Sequence, residues 1–474
     1  MSETLATAFG EYAIGLADED IPEAVRTAAL WHIVDTIGVC LAGANPHEDS
    51  GAVARKLQPK WRANEGATVF GVDFKARPEL AALLNGSLAQ ALEMDDKHGS
   101  SLARPGSTVT PAVLAVAESR NIPMREVISA VAVGYEVMIR LGFVGGDRFL
   151  ERGYHTSSLI GSFGVAAAIG RLLGCTPRQV VDAMGISGTF ASGIQESTRT
   201  GSTSKILHGG WGAHAGIVAV DLASAGISGP ESVFEGKFGF FQTHLTPISG
   251  ELDFAKAGAD LGRRWYLPET AYKPYPCCQL LHAFIEAGKQ MLKEFEADGI
   301  KTSDITKISC QLAEPGLTLV TEPRERKKAP ETPHEARFSL PFGVATTLIY
   351  GDVDLESFRP GRLADPEIRK LAQLVEASED PDSDYPNHCP AILEVKAKGK
   401  RYRKHVPFHP GSPEAALTIE DVLDKFTRNS SWLFGDAARQ VGADIGASSP
   451  NDTLAGIVQR MNDASVKVFA KEGL

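Results

Sequence analysis

The stretch DIPEAVRTAALWHIVDTIGVCLAGANP, residues 20–46, decides the fold class because it carries a complete helix signal. Pro22 and Glu23 suit the first turn of a helix. Apolar residues then recur every four positions until a Gly-Ala-Asn-Pro turn, at Val25, Ala29, Ile33, Ile37 and Leu41. This period predicts one helix that buries a single stripe.

Similar apolar segments follow it along the first half of the chain. They are rich in Ala, Val, Ile and Leu, are separated by Gly and Pro turns, and cover residues 79–93, 110–119, 124–142, 158–173 and 213–226. The pattern predicts a helical domain of about 260 residues.

Between residues 267 and 410 the periodicity changes. Apolar and polar residues alternate from Ile308 to Leu312 and from Leu393 to Ala397, and Gly399 separates the latter run from another at residues 402–406. The alternation predicts strands, with the last two runs forming a hairpin that has a basic outer face. Helical segments at 279–295 and 338–349 indicate a smaller α+β domain, and helical pattern resumes after residue 410.

Composition excludes several classes of partner. The chain has 474 residues, 43% of them hydrophobic, and a formal net charge of -11, so it can form a large core but lacks the basic surface that nucleic acid or an anionic membrane favours. We therefore expect a small-molecule ligand. The N-terminus lacks a secretion signal and no run of 18 apolar residues occurs, which predicts a cytoplasmic protein. Six cysteines without a C-x-x-C pair favour reduced thiols.

Ionisable residues are densest in NGSLAQALEMDDKHGSSLARPGSTVTP, residues 85–111. This stretch lies between two apolar segments and contains small residues beside its charges. It places together Glu93, Asp95, Asp96, Lys97, His98 and Arg104. Such a concentration predicts a pocket.

Several motifs carry a family resemblance. In chain order they are ALWHIVDTIGVCLAGA (29–44), NGSLAQALEMDD with RPGSTVTPAVLAVAE, GYHTSSLIGSFGVAAAIGRLLG (153–174), SKILHGGWGAHAG (204–216), KPYPCCQLLHAFIEA (273–287) and ARFSLPFGVA (336–345). The chain thus resembles the MmgE/PrpD family, which includes 2-methylcitrate dehydratase, cis-aconitate decarboxylase and iminodisuccinate epimerase. The match extends from about residue 5 to residue 426.

The resemblance implies a mainly α fold, with a large all-helical domain (1–266 and 411–474) and a smaller α+β lid domain (267–410). It also implies a homodimer and an active site that uses neither a metal nor an organic cofactor. Family members act on small polycarboxylates by moving a proton next to a carboxylate. That chemistry requires cations, a base and an acid.

The resemblance assigns catalytic roles to three residues. Lys205 matches the family's active-site lysine and acts as base or carboxylate clamp, whereas lysines in general are mostly exposed. His155 matches an active-site histidine that transfers protons, although a histidine here also suits a helix cap. Tyr154 either donates a proton or hydrogen bond, or simply packs.

Four residues of the 85–111 stretch are predicted to bind substrate. Glu93 stands where the family usually has aspartate, Asp96 belongs to the family's paired carboxylates, and Lys97 often aligns with threonine. Arg104 stands where relatives often have a catalytic histidine. Because arginine stays protonated, it can clamp a carboxylate but cannot shuttle a proton, which disfavours cis-aconitate decarboxylation. Its other interpretation is a surface ion pair with Asp95 or Asp96.

The lid segment supplies the remaining predicted substrate-binding residues, Lys273, Cys278 and His282. Buried cysteine is more often a small apolar residue than a nucleophile, so Cys278 is expected to line the pocket without reacting. The glycines at 210, 212 and 216 approximate a dinucleotide loop, but no strand precedes them, and we interpret them as helix packing. The charged run at 324–328 is most simply a solvated loop.

The sequence thus predicts a cofactor-independent lyase or isomerase for a small di- or tricarboxylate, most simply a hydro-lyase of the 2-methylcitrate dehydratase kind. One alternative is an epimerase of an iminodisuccinate-type dicarboxylate. The other is a carboxylate-binding protein without catalysis.

Overall fold

The structure is a computed structural model that describes residues 4–247 and 252–465. It is mainly helical, which confirms the mainly α part of the predicted fold class. The chain divides into two compact units: unit 1 comprises Met1–Ala91, Asp95–Thr270 and Thr418–Leu474, and unit 2 comprises Leu92–Met94 and Ala271–Leu417. Of the predicted helical domain, residues 1–3, 248–251 and 466–474 lie outside the described part.

Unit 1 is built almost wholly from helices. They are α1 (Leu5–Gly15), α2 (Glu23–Gly43), α3 (Asp49–Trp61), α4 (Pro78–Gln90), α5 (Val109–Arg120), α6 (Met124–Gly145), α7 (Arg148–Glu151), α8 (Thr156–Leu172), α9 (Pro177–Phe190), α10 (Glu196–Thr200), α11 (Leu207–Ser224), α12 (Phe240–Leu245), α13 (Phe254–Gly258), α21 (Ile419–Phe434), α22 (Ala438–Gly446) and α23 (Leu454–Ala464). The short strands are β1 (Arg62–Ala63), β2 (Ala67–Thr68), β3 (Lys75–Ala76) and β4 (Lys97–His98), while β5 (Thr270–Ala271) lies at the boundary.

Helix α2 forms where its apolar period predicts it and lies in the core of unit 1. It packs against α21 so closely that a Cβ added to Gly38 would lie 2.9 Å from the ring of Phe426. Trp432 Nε1 also donates a hydrogen bond of 3.0 Å to the Leu41 carbonyl. The two ends of the chain therefore share one core.

Helices α2 and α6 are long and apolar enough to span a membrane by length and composition alone. Their most apolar windows are 67% and 94% buried within the protein. The burial explains their apolarity, because a helix that is apolar on most sides is typical of a protein core.

Unit 2 combines helices with one four-stranded sheet. Its elements are α14 (His282–Asp298), β6 (Ile305–Leu312), α15 (Glu314–Thr321), α16 (Arg324–Lys328), α17 (Pro333–Arg337), α18 (Leu340–Tyr350), α19 (Pro360–Leu363), α20 (Pro366–Gln373), β7 (Val375–Glu379), β8 (Ala391–Ala397) and β9 (Lys400–Val406). The strand order is β7-β6-β8-β9, with only the β6–β7 pair parallel. Helix α14 packs against β8 and β9.

The predicted hairpin is confirmed as β8 and β9. Ala397 pairs with Lys400, and the two residues between them have positive φ, 47° at Lys398 and 75° at Gly399. Positive φ at both positions is the requirement of a tight turn that matches strand twist. The charged run at 324–328, predicted as a loop, is instead the short helix α16. All six cysteines lie in the described residues, are buried and form no disulfide bond, as the sequence favoured.

Candidate active site

The Asp96 carboxylate holds the backbone turn of residues 104–108, which lies between β4 and α5 and is called the Arg104 turn below. Gly106 N–H donates to Asp96 Oδ1 and Tyr135 Oη–H to Oδ2, both at 2.8 Å. His32 Nδ1 lies 2.8 Å from the same Oδ2. Burial alone would raise the pKa of Asp96, but the contact with His32 and these hydrogen bonds lower it overall. Asp96 is therefore a buried, ionised carboxylate with three polar partners.

Asp95 holds the next residue of that turn. Ser107 Oγ–H donates to Asp95 Oδ2 at 2.9 Å. The neighbouring Gln90 donates from Nε2 to Ser157 Oγ at 3.1 Å and accepts from Gly209 N–H at 2.8 Å. One amide thus joins the end of α4 to the first turns of α8 and α11.

Arg104, at the start of the turn, contacts His155. Arg104 Nη1 donates to His155 Nε2 at 2.6 Å, and His155 is 1% exposed. Because arginine only donates, Nε2 must accept, so the imidazole is neutral and carries its proton on Nδ1. His155 N–H donates to the Gly193 carbonyl at 2.9 Å, and Thr156 Oγ1 donates to the Leu102 carbonyl at 2.6 Å. Those bonds fix the start of α8 beside the turn.

Lys205 belongs to the turn that leads into α11. It is buried, in the 3-10 turn Thr203–Ile206 that leads directly into α11. His208, three residues later in the first turn of α11, is also buried, and its ring centroid lies 5.1 Å from that of His155. The first turns of α8 and α11 therefore bring two histidines together. Sequence reasoning did not select His208, although it belongs to the SKILHGG motif.

The glycines that follow His208 serve helix packing, as interpreted from the sequence. A Cβ on Gly210 would lie 2.0 Å from the Leu83 carbonyl oxygen, and one on Gly209 would lie 2.6 Å from that of Ser107. α11 can approach α4 and the turn only because these positions have no side chain. The predicted helix at 213–226 accordingly begins earlier, at Leu207.

Tyr154 and Lys97 are the remaining predicted site residues of unit 1. The Tyr154 ring packs on His244 with centroids 5.2 Å apart, and its backbone bridges Ile194. Lys97 is buried in β4. Burial, together with the charge of Lys97, lowers the pKa of the adjacent His98 to about 3, so His98 is neutral.

Glu93, Lys273, Cys278 and His282 all belong to unit 2 and are all buried. His282 Nε2 donates to the Cys277 carbonyl at 3.2 Å. Burial raises the pKa of the Cys277 thiol well above its ordinary value, a shift that Cys278 adds to and the cations Lys273 and Arg337 oppose. The Cys277 thiol is therefore protonated and unreactive.

Unit 2 also contains polar residues that the sequence did not single out. Gln279 Nε2 donates to His409 Nε2 at 2.6 Å, and the His409 ring lies 6.3 Å from that of His282. Lys327 Nζ donates to the Phe338 carbonyl at 2.8 Å, and burial lowers its pKa to about 8. The described residues contain no group of three or more His, Cys, Asp or Glu arranged to hold a metal ion.

Comparison with known proteins identifies the family. The chain matches the MmgE/PrpD N-terminal domain over residues 7–251 and the MmgE/PrpD C-terminal domain over residues 275–449. It is 28% identical over 434 residues to a cis-aconitate decarboxylase-like protein, oryM, of Aspergillus oryzae, covering 88% of each chain.

It is also 29% identical to a cis-aconitate decarboxylase of Aspergillus terreus over 399 residues, which are 81% of this chain and 80% of that one. The human cis-aconitate decarboxylase is 26% identical over 450 residues, 91% of this chain and 88% of its own. The two domain matches together cover most of the described residues, and on that ground the chain belongs to the MmgE/PrpD family.

Proposed function

We propose that the protein is a lyase that acts on a small di- or tricarboxylate by removing a proton next to a carboxylate. One observation carries the proposal: a guanidinium donates to a buried imidazole, Arg104 Nη1 to His155 Nε2 at 2.6 Å. The pair combines a permanent cation with a proton acceptor, the two elements that this chemistry needs. Membership in a family whose matched relatives are named for a reaction of a tricarboxylate supports the same class.

The first step of the proposed mechanism is an exchange of hydrogen bonds. A substrate carboxylate accepts from a guanidinium more strongly than an imidazole does, so it takes the donors of Arg104 and releases His155 Nε2. Nε2 then removes the proton from the adjacent carbon. Lys205 holds a second carboxylate.

The second step is loss of the leaving group. The electron pair of the broken C–H bond becomes a carbon–carbon double bond, the C–O bond breaks, and Tyr154 gives its proton to the hydroxyl, which leaves as water. This sequence is that of a hydro-lyase, the specific reaction we propose. The proposal includes a cytoplasmic homodimer that needs no cofactor, and Lys273 as a further substrate cation, as the resemblance implies.

Decarboxylation is the second candidate, favoured by the names of the matched relatives. Arg104 argues against it, because an arginine cannot supply the proton that replaces CO2. Epimerisation would instead need a second base that returns the proton to the opposite face of the same carbon.

The experiment is incubation of chelator-treated protein in deuterated water with methylcitrate, citrate, cis-aconitate and simpler dicarboxylates, followed by NMR. A new alkene from a hydroxy acid supports the hydro-lyase, whereas deuterium entry without an alkene indicates an epimerase and loss of a carboxylate indicates a decarboxylase. Binding of these acids with neither exchange nor turnover would contradict a catalytic function.

Matched variants locate the chemistry. We expect His155→Ala to slow the reaction by about 100-fold or more, the lower range for removal of a general base. The exposed residues His47 and Lys237 provide controls, since His47→Ala and Lys237→Ala remove the same side-chain types without touching the candidate site. Equal activity in His155→Ala and His47→Ala would exclude His155 as the base.

A further inference from the structure

The proposed mechanism leaves unused a buried polar cluster beneath the Arg104 turn. Its members lie on three parts of unit 1: His32 on α2, Tyr135 on α6, and Asp96 between β4 and its preceding loop. The side chains of His32 and Asp96 are 2% and 1% exposed. Burying a carboxylate this deeply is costly unless its oxygens are well satisfied, so the cluster requires an explanation.

The oxygens of Asp96 are already engaged within unit 1. Oδ1 accepts from Gly106, and Oδ2 meets both Tyr135 Oη and His32 Nδ1, all at 2.8 Å. Thr110 Oγ1 lies 3.2 Å from the same Tyr135 oxygen and extends the network to α5. A second carboxylate brought against Asp96 would add a like charge in a buried place, which is unfavourable. Asp96 is thus poorly suited to contact an anionic substrate directly.

The same oxygens control where Arg104 lies. Gly106 is two residues beyond Arg104, and a Cβ at Gly106 would come within 2.7 Å of the Asp96 carboxylate carbon. The Arg104 carbonyl itself accepts from Thr108 Oγ1 at 3.3 Å. The turn is therefore seated directly on the carboxylate, and a shift of Asp96 moves the backbone that carries Arg104.

We propose that Asp96 and His32 are positioning residues that hold the Arg104 turn so that the guanidinium meets His155, and that Asp96 is not a substrate ligand. Tyr135 is the third member of the cluster and acts in the same way. This inference rests on the proposed function insofar as Arg104 clamps a substrate carboxylate. It replaces the substrate-binding role predicted for Asp96 from the sequence.

The first test needs no substrate. In protein labelled with ¹⁵N-histidine, long-range ¹H–¹⁵N spectra report which ring nitrogen carries the proton, and His155→Ala identifies the His155 signals. Wild type should show the neutral Nδ1–H form. Arg104→Ala should leave His155 as a mixture of its two neutral tautomers. Asp96→Asn should have the same effect, because the turn that carries Arg104 moves.

A folded Asp96→Asn protein with the wild-type His155 spectrum would overturn the inference. Tyr135→Phe is the second variant in case Asp96→Asn does not fold, since it removes one hydroxyl and keeps the ring. A partial change of the His155 signals supports the inference there, and no change in a folded protein overturns it. His47→Ala should leave the spectrum of His155 unchanged.

The second test is a double-mutant cycle on kcat/KM with the substrate found above. Asp96→Asn alone should lower kcat/KM by about 100-fold, as a displacement of about 1 Å can do. In an Arg104→Ala background, Asp96→Asn should lower kcat/KM by only about twofold, because the guanidinium that Asp96 positions is already absent. A full 100-fold loss in both backgrounds would show that Asp96 acts on the substrate itself.

The two tests separate failures. If Asp96→Asn changes the His155 spectrum but the protein turns over no substrate, the positioning inference stands and the proposed function is wrong. If the protein turns over substrate but Asp96→Asn leaves the His155 spectrum unchanged, the proposed function stands and the positioning inference is wrong.

Discussion

Replacing Lys425 by methionine should destabilise unit 1 strongly. Lys425 Nζ on α21 lies 2.7 Å from Asp35 Oδ1 on α2, and the two side chains are 1% and 3% exposed. Methionine keeps the length of the chain but removes the charge, so Asp35 is left buried without its cation. Breaking a buried pair in this way costs about 3–5 kcal/mol. A surface pair of the same geometry would cost at most about 1 kcal/mol.

The loss should depend on pH in a defined direction. Burial raises the pKa of Asp35 above its ordinary value, although Lys425 opposes the shift. For a carboxyl whose folded-state pKa is raised, the stabilisation from protonation is present at low pH and is lost as pH rises through the folded-state pKa. Without Lys425 the pKa rises further. The difference in free energy of unfolding between Lys425→Met and wild type should therefore narrow as the pH is lowered from 8 to 5.

Urea unfolding followed by tryptophan fluorescence measures the free energy of unfolding of unit 1, because all five tryptophans of the chain lie in that unit. A loss of 3–5 kcal/mol should move the midpoint down by about 1 M or more, given slopes of about 3 kcal/mol/M. Lys237→Met, at an exposed position, is the control, and Asp35→Leu combined with Lys425→Met should recover most of the loss. A loss below about 1 kcal/mol, or a gap that is equal at both pH values, would refute the reasoning.

Three further predictions use simpler assays. Gly210→Ala should cost about 2 kcal/mol or more in the same urea assay, because its Cβ would meet the Leu83 carbonyl at 2.0 Å, whereas Gly15→Ala has nothing within 4 Å and should change stability by no more than about 0.5 kcal/mol. Equal effects would contradict the packing account of α11. Burial lowers the pKa of Lys327 to about 8, so the NMR signal of its ¹³C-methylated amine should titrate near pH 8. That signal should be missing from Lys327→Arg, and a titration midpoint above about 10 would contradict the effect of burial. The six buried cysteines should resist a thiol reagent until urea unfolds the chain, and rapid labelling of the native protein would show that they are accessible.

The sequence predicts those elements whose period or turn is written locally. The helix from Glu23 to Gly43 follows from its four-residue spacing, and the β8–β9 hairpin follows from alternation around Gly399. α11 begins six residues before its predicted start, because Leu207–Gly212 looks like a loop by composition. Its glycines were interpreted from the sequence as helix packing, but the helix that they approach, α4, is set by tertiary structure and is not written in the local pattern.

The candidate site divides in the same way. Motif and family resemblance indicate His155 and Lys205, and the structure places His155 at the N-cap of α8 and Lys205 in the 3-10 turn before α11. His208 and Gln90 escape detection because their partners are 53 and 119 residues away in the chain: His155 for the one and Gly209 for the other. No local pattern marks such pairs. The substrate-binding role predicted for Asp96 stays a prediction, and the contacts that the structure shows for Asp95 and Asp96 are to the Arg104 turn.

The hydrogen bonds that anchor that turn use only a backbone atom of residue 104, whose side chain contacts His155 instead. The Arg104 carbonyl accepts from Thr108 Oγ1, and the turn is anchored beyond it through Gly106 N–H and Ser107 Oγ. The scaffold can therefore present a different side chain at position 104 without losing an anchor. Under the proposed function, an arginine there supplies a clamp whereas a histidine would supply an acid, so one exchange on a fixed turn would change which step the site catalyses. The proposal thus gives a physical reason why one fold can serve dehydration, in which a proton is removed, and decarboxylation, in which a proton is added.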